Sequence, residues 1–179
     1  IGDLDNTLIV FYSDHGEMAG DHRMMGKHQT NYTSVLHVPA IIRYPAQVPA
    51  GSQITTTMEA VDLMPTILEA IGAEIPSSVD GTSRWLTVRG LESSGSESVL
   101  VEFATPEGQS VKTILTDRYK YWINELGEEV LFDLSHDPNE FINSASDPVY
   151  ESALHKMRAL LIAKLLNTED RSRERIAPY

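Results

Sequence analysis

The feature that most constrains the fold is a continuous apolar run at residues 7–13, which ends abruptly at Asp14-His15-Gly16. β-Branched and aromatic residues dominate the run, and such residues favour strands. A strand that is apolar without alternation is typical of a parallel sheet whose two faces are both covered. We therefore expect an α/β fold with a buried strand here. A second apolar run, at residues 38–44, is expected to be its neighbour or near-neighbour in the same sheet.

A helix is predicted to follow these two strands. Asp62 is a plausible N-cap, Pro65 falls in the first turn, and Gly72 follows the last apolar residue as a stop signal. The Ser- and Glu-rich stretch at residues 92–97 is the best candidate for a linker. We accordingly place a domain boundary after residue 92.

The second half of the chain predicts a different architecture. Four short strand-like runs are separated by tight turns, which is typical of an antiparallel meander. They lie at residues 99–104, 111–116, 119–123 and 129–133. A final helix is predicted after them, with Asp147 as N-cap and Pro148 at its first position. Its apolar stripe comprises Val149, Ala153, Met157, Leu160, Leu161 and Leu165.

Composition excludes several classes of function. The hydrophobic and charged fractions, 41% and 22%, are those of a folded globular chain, and the formal net charge of −12 argues against nucleic acid as a main partner. There is no cysteine, so disulfide and thiolate chemistry are excluded for these residues. No apolar run approaches the roughly 20 residues of a membrane span. The chain begins without Met, one short turn before a strand, and we expect it to be a fragment of a longer enzyme.

The residues after the first strand are the best candidates for chemistry. Ligands bind beyond the carboxyl ends of strands in open α/β sheets. Asp14 and His15 would there offer one oxygen and one nitrogen to a divalent cation, although a capping aspartate and a packed histidine would give the same dipeptide. The following loop contains His22, Lys27, His28 and Tyr32. A lysine suits a sulfate or phosphate oxygen, and a histidine can protonate a leaving oxygen near neutral pH; a solvated polar loop is the alternative.

Taken in order, these motifs resemble the sulfatase family of the alkaline phosphatase superfamily. The resemblance covers nearly the whole chain. Its first part comprises Asp14-His15-Gly16-Glu17, Gly20-Asp21-His22, Gly26-Lys27-His28 and His37-Val38-Pro39. Its later part comprises residues 61–68, Asp80-Gly81-Thr82-Ser83, residues 111–113, residues 117–121, residues 131–134, Asp137-Pro138-Asn139-Glu140 and Asn143.

The resemblance implies specific roles. Asp14 and His15 match the family's second pair of metal ligands, where Asn is commoner than His at the second position. Lys27 matches the lysine that contacts the sulfate group, and His28 beside it is the second candidate catalytic residue. The implied cation is Ca²⁺, with Mn²⁺ or Zn²⁺ as alternatives. The implied architecture is the C-terminal part of the α/β catalytic domain at residues 1–92, followed by a small four-stranded antiparallel domain with its helix at residues 93–179.

Two motifs of the family pattern do not occur in this sequence. The family's nucleophile is a formylglycine made from the first residue of a Cys/Ser-x-Pro-x-Arg motif, and no such motif occurs in these 179 residues. The Asp-Asp pair that supplies the first metal ligands is absent from them too. We therefore expect part of a sulfuric ester hydrolase that acts on sulfate esters only with the missing N-terminal part. A phosphodiesterase or phosphonate monoester hydrolase of the same superfamily, or an inert binding module, is the alternative.

Overall fold

The computed structural model describes residues 3–27 and 30–168, and the chain forms two compact units. The first unit comprises residues 1–99 and the second residues 100–179. The structural division therefore falls after residue 99, further along the chain than the boundary expected after residue 92. Among the residues that the structure describes, no helix is both long and apolar enough to cross a membrane.

The first unit contains a two-stranded sheet formed by β1 (Ile9–Tyr12) and β2 (Ala40–Arg43). The two predicted strands are therefore neighbours, as expected, but they pair antiparallel, with Phe11 opposite Ile41. The expectation of a strand covered on both faces is not met within the described residues, where Phe11 and Ile41 are 58% and 60% exposed. A continuous apolar run indicates that a strand is suited to burial. It does not indicate the direction of the strand or which part of a protein covers it.

The first unit also contains short helices and 3-10 turns. The helices are α1 (Thr33–Leu36), α2 (Leu63–Ala70) and α3 (Trp85–Val88), and the turns are Leu4–Asn6, Asp21–Arg23 and Ala60–Asp62. α2 is the helix predicted from Pro65 and Gly72, and Gly72 adopts the left-handed conformation (φ 72°) that ends a helix. Its residue Ala70 packs with Trp85 and Val88 in a small buried cluster.

Asp62 has a different role from the predicted helix cap. Its carboxylate accepts hydrogen bonds from the backbone N–H of Thr82 (2.8 Å) and from Nε of Arg84 (2.9 Å), and it is 2% exposed. Arg84 also donates to the hydroxyl of Ser96, and the Ser96 N–H donates to the Thr57 carbonyl. The stretch predicted as a linker is therefore tied to the first unit by side-chain and backbone bonds, which composition alone cannot indicate.

The second unit confirms the predicted four-stranded sheet. Its strands are β3 (Val99–Ala104), β4 (Ser110–Leu115), β5 (Tyr119–Asn124) and β6 (Glu129–Asp133), in that order across the sheet. β5 pairs antiparallel with β4 and with β6, and Tyr121 lies opposite Ile114 and Leu131. These three side chains are at most 1% exposed and form the centre of the unit's core.

The C-terminal helix α4 (Glu151–Thr168) covers this core. Asp147 accepts a hydrogen bond from the Val149 N–H (2.9 Å), so it caps the 3-10 turn Pro148–Tyr150 that leads into the helix. Val149 was predicted to belong to the apolar stripe, but it is 84% exposed, because it lies in that turn rather than in the helix. Leu154, Met157 and Leu161 form the buried face.

One buried ion pair connects β5 to the loop after β6. Lys120 Nζ contacts a carboxylate oxygen of Glu140, and the two side chains are 0% and 3% exposed. Glu140 has a left-handed backbone (φ 61°), which is unusual for a residue other than glycine. The sequence pattern around Asp137-Pro138-Asn139-Glu140 gave no indication of this pairing.

Candidate active site

The candidate site begins where β1 ends. The hydroxyl of Ser13 donates to the His15 carbonyl (2.8 Å), and the His15 N–H donates to Oδ1 of Asp14 (3.0 Å). These two bonds form a tight turn that directs the Asp14 side chain, 88% exposed, into solvent. Its second oxygen, Oδ2, lies 3.7 Å from Nε2 of His15. The turn thus brings one carboxylate oxygen and one imidazole nitrogen together.

The hydrogen bonds of His15 determine which of its nitrogens carries the proton. Nδ1 lies 2.7 Å from the carbonyl oxygen of Gly16, and a carbonyl can only accept, so Nδ1 is the donor. Nε2 of a neutral ring then carries the lone pair. Nζ of Lys27 lies 3.3 Å from that nitrogen. The loop therefore brings Lys27 to His15 and Asp14, the convergence that the sequence predicts for these three residues.

The arrangement of Asp14 and His15 fits part of a cation's ligand shell. Metal-binding histidines usually donate their second ring N–H to a carbonyl or carboxylate, as His15 does to Gly16. Two donors that each lie about 2.3 Å from one cation can be 3.7 Å apart. Within residues 3–27 and 30–168, however, no group of three or more His, Cys, Asp or Glu side chains could hold a metal ion. Because Ca²⁺ takes about six to eight ligands, these two would be only part of its shell.

A close approach of two backbone segments fixes the base of the site. The N–H of Gly16 donates to the Val35 carbonyl (2.7 Å), and the N–H of Glu17 donates to the Ser34 carbonyl (3.1 Å). A Cβ atom on Gly16 would lie 2.0 Å from the Ser34 oxygen. Only glycine allows this approach, which explains why Gly16 follows the Asp14-His15 pair.

We call residues 13–27 the site loop. Its central part is strained. Ala19, His22 and Arg23 have left-handed backbones, with φ of 46°, 47° and 63°. Each such conformation costs about 1–3 kcal/mol and persists only where the surroundings hold it. Met18, 2% exposed, anchors the loop in the interior, and its N–H donates to the Gly26 carbonyl (3.3 Å) just before Lys27.

Two further loop residues contact the segment around α1. The ring of His22 stacks on that of Tyr32, with centroids 3.9 Å apart and planes at 19°. A side-chain oxygen of Asp21 accepts a hydrogen bond from the Ser34 hydroxyl, and this bond lowers the pKa of the Asp21 carboxyl. The sequence indicated His22 and Tyr32 as candidate residues, but it did not indicate that their rings stack. It missed the Asp21–Ser34 pair, since no spacing pattern joins residues so far apart.

The pKa of Tyr12, at the end of β1, is affected by its neighbour in the site. Burial, and then the negative charge of Asp14, raise the pKa of the Tyr12 hydroxyl. The ring is therefore neutral at physiological pH. His28, the second candidate catalytic residue, lies outside the described residues, so its proposed role stays a prediction.

The chain is similar in sequence and in structure to known proteins. The family described as N-sulphoglucosamine sulphohydrolase, C-terminal, matches residues 20–167. An arylsulfatase of Clostridium perfringens is 32% identical over 94% of this chain and 36% of its own length. A solved structure of BT1596, a 2-O GAG sulfatase, superposes with a TM-score of 0.85 and 30% identity, covering 95% of this chain and 39% of that chain.

A third similar protein belongs to another activity class. The phosphonate monoester hydrolase of Agrobacterium radiobacter superposes with a TM-score of 0.83 and 29% identity, covering 93% of this chain and 36% of its own. The chain thus spans little more than a third of the length of the relatives it matches. The match over residues 20–167, together with the likeness to sulfatase structures, shows that this chain belongs to the sulfatase family, in the group described as N-sulphoglucosamine sulphohydrolase, C-terminal.

Proposed function

We propose that this chain supplies the cation-binding and sulfate-binding residues of a sulfuric ester hydrolase, which converts R–O–SO₃⁻ to R–OH. The observation that carries the proposal is the contact of Lys27 Nζ with Nε2 of His15, beside Oδ2 of Asp14. One carboxylate oxygen, one imidazole lone pair and one ammonium group at the end of a strand form a site for a cation and an anion together.

Each residue has a distinct role in this proposal. Asp14 Oδ2 and His15 Nε2 hold a divalent cation, Ca²⁺, which when bound neutralises charge on the sulfate oxygens. The Gly16 carbonyl keeps the His15 ring in the tautomer that the cation requires. Lys27 gives up its contact with His15 Nε2 when the cation binds there, and contacts a sulfate oxygen instead. His28 supplies the proton to the leaving alcohol oxygen.

The attacking group of the proposed reaction lies outside these residues. It is the formylglycine of a Cys/Ser-x-Pro-x-Arg motif, which does not occur in the 179 residues. Lys27 and the cation ligands can stabilise charge, but they cannot form the covalent sulfate intermediate. The proposed partners are accordingly a sulfate ester and a polypeptide that carries the nucleophile and the remaining cation ligands.

Binding of Ca²⁺ to the chain tests the proposal. We expect a millimolar dissociation constant, on the order of 10⁻³ M, because Asp14 and His15 would fill only part of the ligand shell. Asp14→Ala should weaken binding at least about tenfold, as seen by NMR shifts of His15 during a CaCl₂ titration. Asp5→Ala is the matched control, since the Asp5 side chain is as exposed as that of Asp14 and forms an ion pair with Arg43 (3.4 Å). Equal affinities of the Asp14 and Asp5 variants would contradict the proposal.

The phosphonate monoester hydrolase is a second candidate function because of the structural likeness reported above. In that case the cation is Mn²⁺ or Zn²⁺, and the substrate is a phosphonate monoester or a phosphodiester. The two candidates are separated by comparing kcat/KM for an aryl sulfate with that for an aryl phosphonate monoester, in the longer enzyme that contains this chain. Preference for the sulfate, retained with Ca²⁺ as the added cation, supports the sulfatase assignment.

A further inference from the structure

The segment at residues 32–35, which includes part of α1, contacts the site loop at several separate points. Its backbone carbonyls accept the N–H groups of Gly16 and Glu17. Its side chains engage the opposite part of the loop, where Tyr32 stacks on His22 and the Ser34 hydroxyl donates to Asp21. We call residues 32–35 the support segment.

The side-chain contacts fall where the loop is strained. His22 is left-handed, and Arg23 after it is left-handed too. Such conformations relax unless neighbouring groups hold them. The aromatic stack and the Asp21–Ser34 bond act on these positions, and the His22 side chain is only 10% exposed as a result. The support segment therefore supplies interactions that oppose relaxation of the loop.

The strained turn leads directly to Lys27. Asp21 donates its N–H to the Met18 carbonyl (2.7 Å), and Gly20 donates to the Met24 carbonyl (2.8 Å), so the turn is closed on itself. The Gly26 carbonyl then accepts the Met18 N–H. Because Met18 bonds both to the turn and to the Gly26 carbonyl, loss of the turn removes restraints on the segment that leads to Lys27.

We infer that Tyr32 and Ser34 are positioning residues that hold the site loop so that Lys27 reaches the sulfate-binding position beside His15. The inference rests on the proposed function, because it takes Lys27 as the sulfate-binding group. It also assigns His22 to positioning through its stack on Tyr32, not to proton transfer. Tyr32 and Ser34 act on the anion side of the site, whereas the Asp14-His15 turn is fixed by its own bonds and by Gly16.

Hydrogen exchange tests the positioning role without any ligand. The Gly20 amide reports closure of the turn, and the Val88 amide, bonded to the Arg84 carbonyl (2.8 Å), reports the stability of the rest of the unit. Tyr32→Leu and Ser34→Ala should each speed exchange at Gly20 about tenfold, with Val88 changed less than about twofold. Equal acceleration at both amides, or none at Gly20, overturns the inference.

Ligand binding separates positioning from general stability. In the presence of Ca²⁺, both variants should bind inorganic sulfate about fivefold more weakly, while their Ca²⁺ affinity changes less than about twofold. Tyr32→Phe keeps the ring that stacks on His22, and Ser34→Thr keeps the hydroxyl, so each should bind sulfate more tightly than Tyr32→Leu or Ser34→Ala does. Ser52→Ala, which removes an exposed hydroxyl bonded to the Pro49 carbonyl, is the control and should change neither affinity.

A Lys27→Met variant distinguishes failure of this inference from failure of the proposed function. If Lys27→Met binds sulfate as well as the wild type, the proposed role of Lys27 is wrong, and the Gly20 exchange rates alone decide whether the support segment holds the loop. If Lys27→Met weakens sulfate binding but Tyr32→Leu and Ser34→Ala do not, the proposed function stands and the inference is overturned.

Discussion

Nζ of Lys27 lies 3.3 Å from Nε2 of His15, the same nitrogen that is free to bind a cation because Nδ1 donates to the Gly16 carbonyl. An ammonium group and a divalent cation cannot both occupy the lone pair of one nitrogen. Lys27 must therefore leave His15 when a cation binds there, and an anion between the two positive charges gives it a new partner.

This relationship predicts opposite effects of one substitution. Lys27→Met should strengthen Ca²⁺ binding about threefold or more, because it removes a competing positive charge from the ligand atom, and should weaken sulfate binding in the presence of Ca²⁺. Titrations followed by NMR measure both affinities. Lys112→Met is the control, since it makes the same change of charge at a lysine that pairs with Glu102. A loss of Ca²⁺ affinity in Lys27→Met would contradict the competition.

The sequence predicted the members of this site but not its geometry. The position of Asp14 and His15 at a strand end followed from the apolar run before them, and Lys27 followed from its place in the family pattern. The His15 tautomer and the stacking of His22 on Tyr32 did not, because they depend on contacts between residues brought together only by folding. His28 remains a prediction.

The sequence likewise predicted the positions of most fold elements, but not how all of them pair. Turn signals located β3 to β6 closely, since tight turns between short apolar runs allow few alternatives. Strand direction in the first unit was not accessible, since β1 and β2 are separated by the site loop and α1. The burial of Lys120 also contradicts the usual exposure of lysine, and its pairing with Glu140, which forms only on folding, could not be predicted from the sequence.

Gly16 should be intolerant of the smallest side chain. Gly16→Ala places a methyl group 2.0 Å from the Ser34 carbonyl oxygen, so one of the two segments must move. We expect a loss of about 1–3 kcal/mol in the free energy of unfolding, measured in urea. Gly51→Ala is the control: Gly51 is left-handed but has open space, so it should cost only about 1 kcal/mol. Equal losses would contradict the close approach.

The Lys120–Glu140 pair should be far more costly to break than to replace. Glu140→Gln removes the carboxylate that neutralises the buried Lys120 ammonium, and should cost about 3–5 kcal/mol of unfolding free energy. The double variant Lys120→Met/Glu140→Leu removes both charges and should recover most of that loss. Lys112→Met breaks an exposed pair and should cost less than about 1 kcal/mol. A double variant that is no more stable than Glu140→Gln would contradict the pairing.

Asp133 should make the second unit sensitive to acid. Hydrogen bonds from Arg118 hold the pKa of the buried Asp133 carboxyl well below its usual range, with further bonds from Ser135 and His136. Because the folded-state pKa is depressed, the stabilisation is fully present above the unfolded-state pKa of about 4 and is lost as the pH falls below it. Arg118→Gln should reduce this acid-side loss, measured by thermal unfolding between about pH 5 and pH 2. Arg43→Gln, at an exposed ion pair, should leave the slope unchanged.

The chain by itself should not turn over an aryl sulfate. Formation of a covalent sulfate intermediate requires a nucleophile on the protein, and the family's Cys/Ser-x-Pro-x-Arg motif does not occur in these residues. Electrostatic stabilisation by Lys27 and a cation lowers the barrier only for an attack that another group makes. Release of 4-nitrophenol from its sulfate ester, in excess Ca²⁺, should therefore equal that of an Asp14→Ala control. Hydrolysis that depends on Ca²⁺ and disappears in Asp14→Ala would show that these residues contain a complete catalytic site.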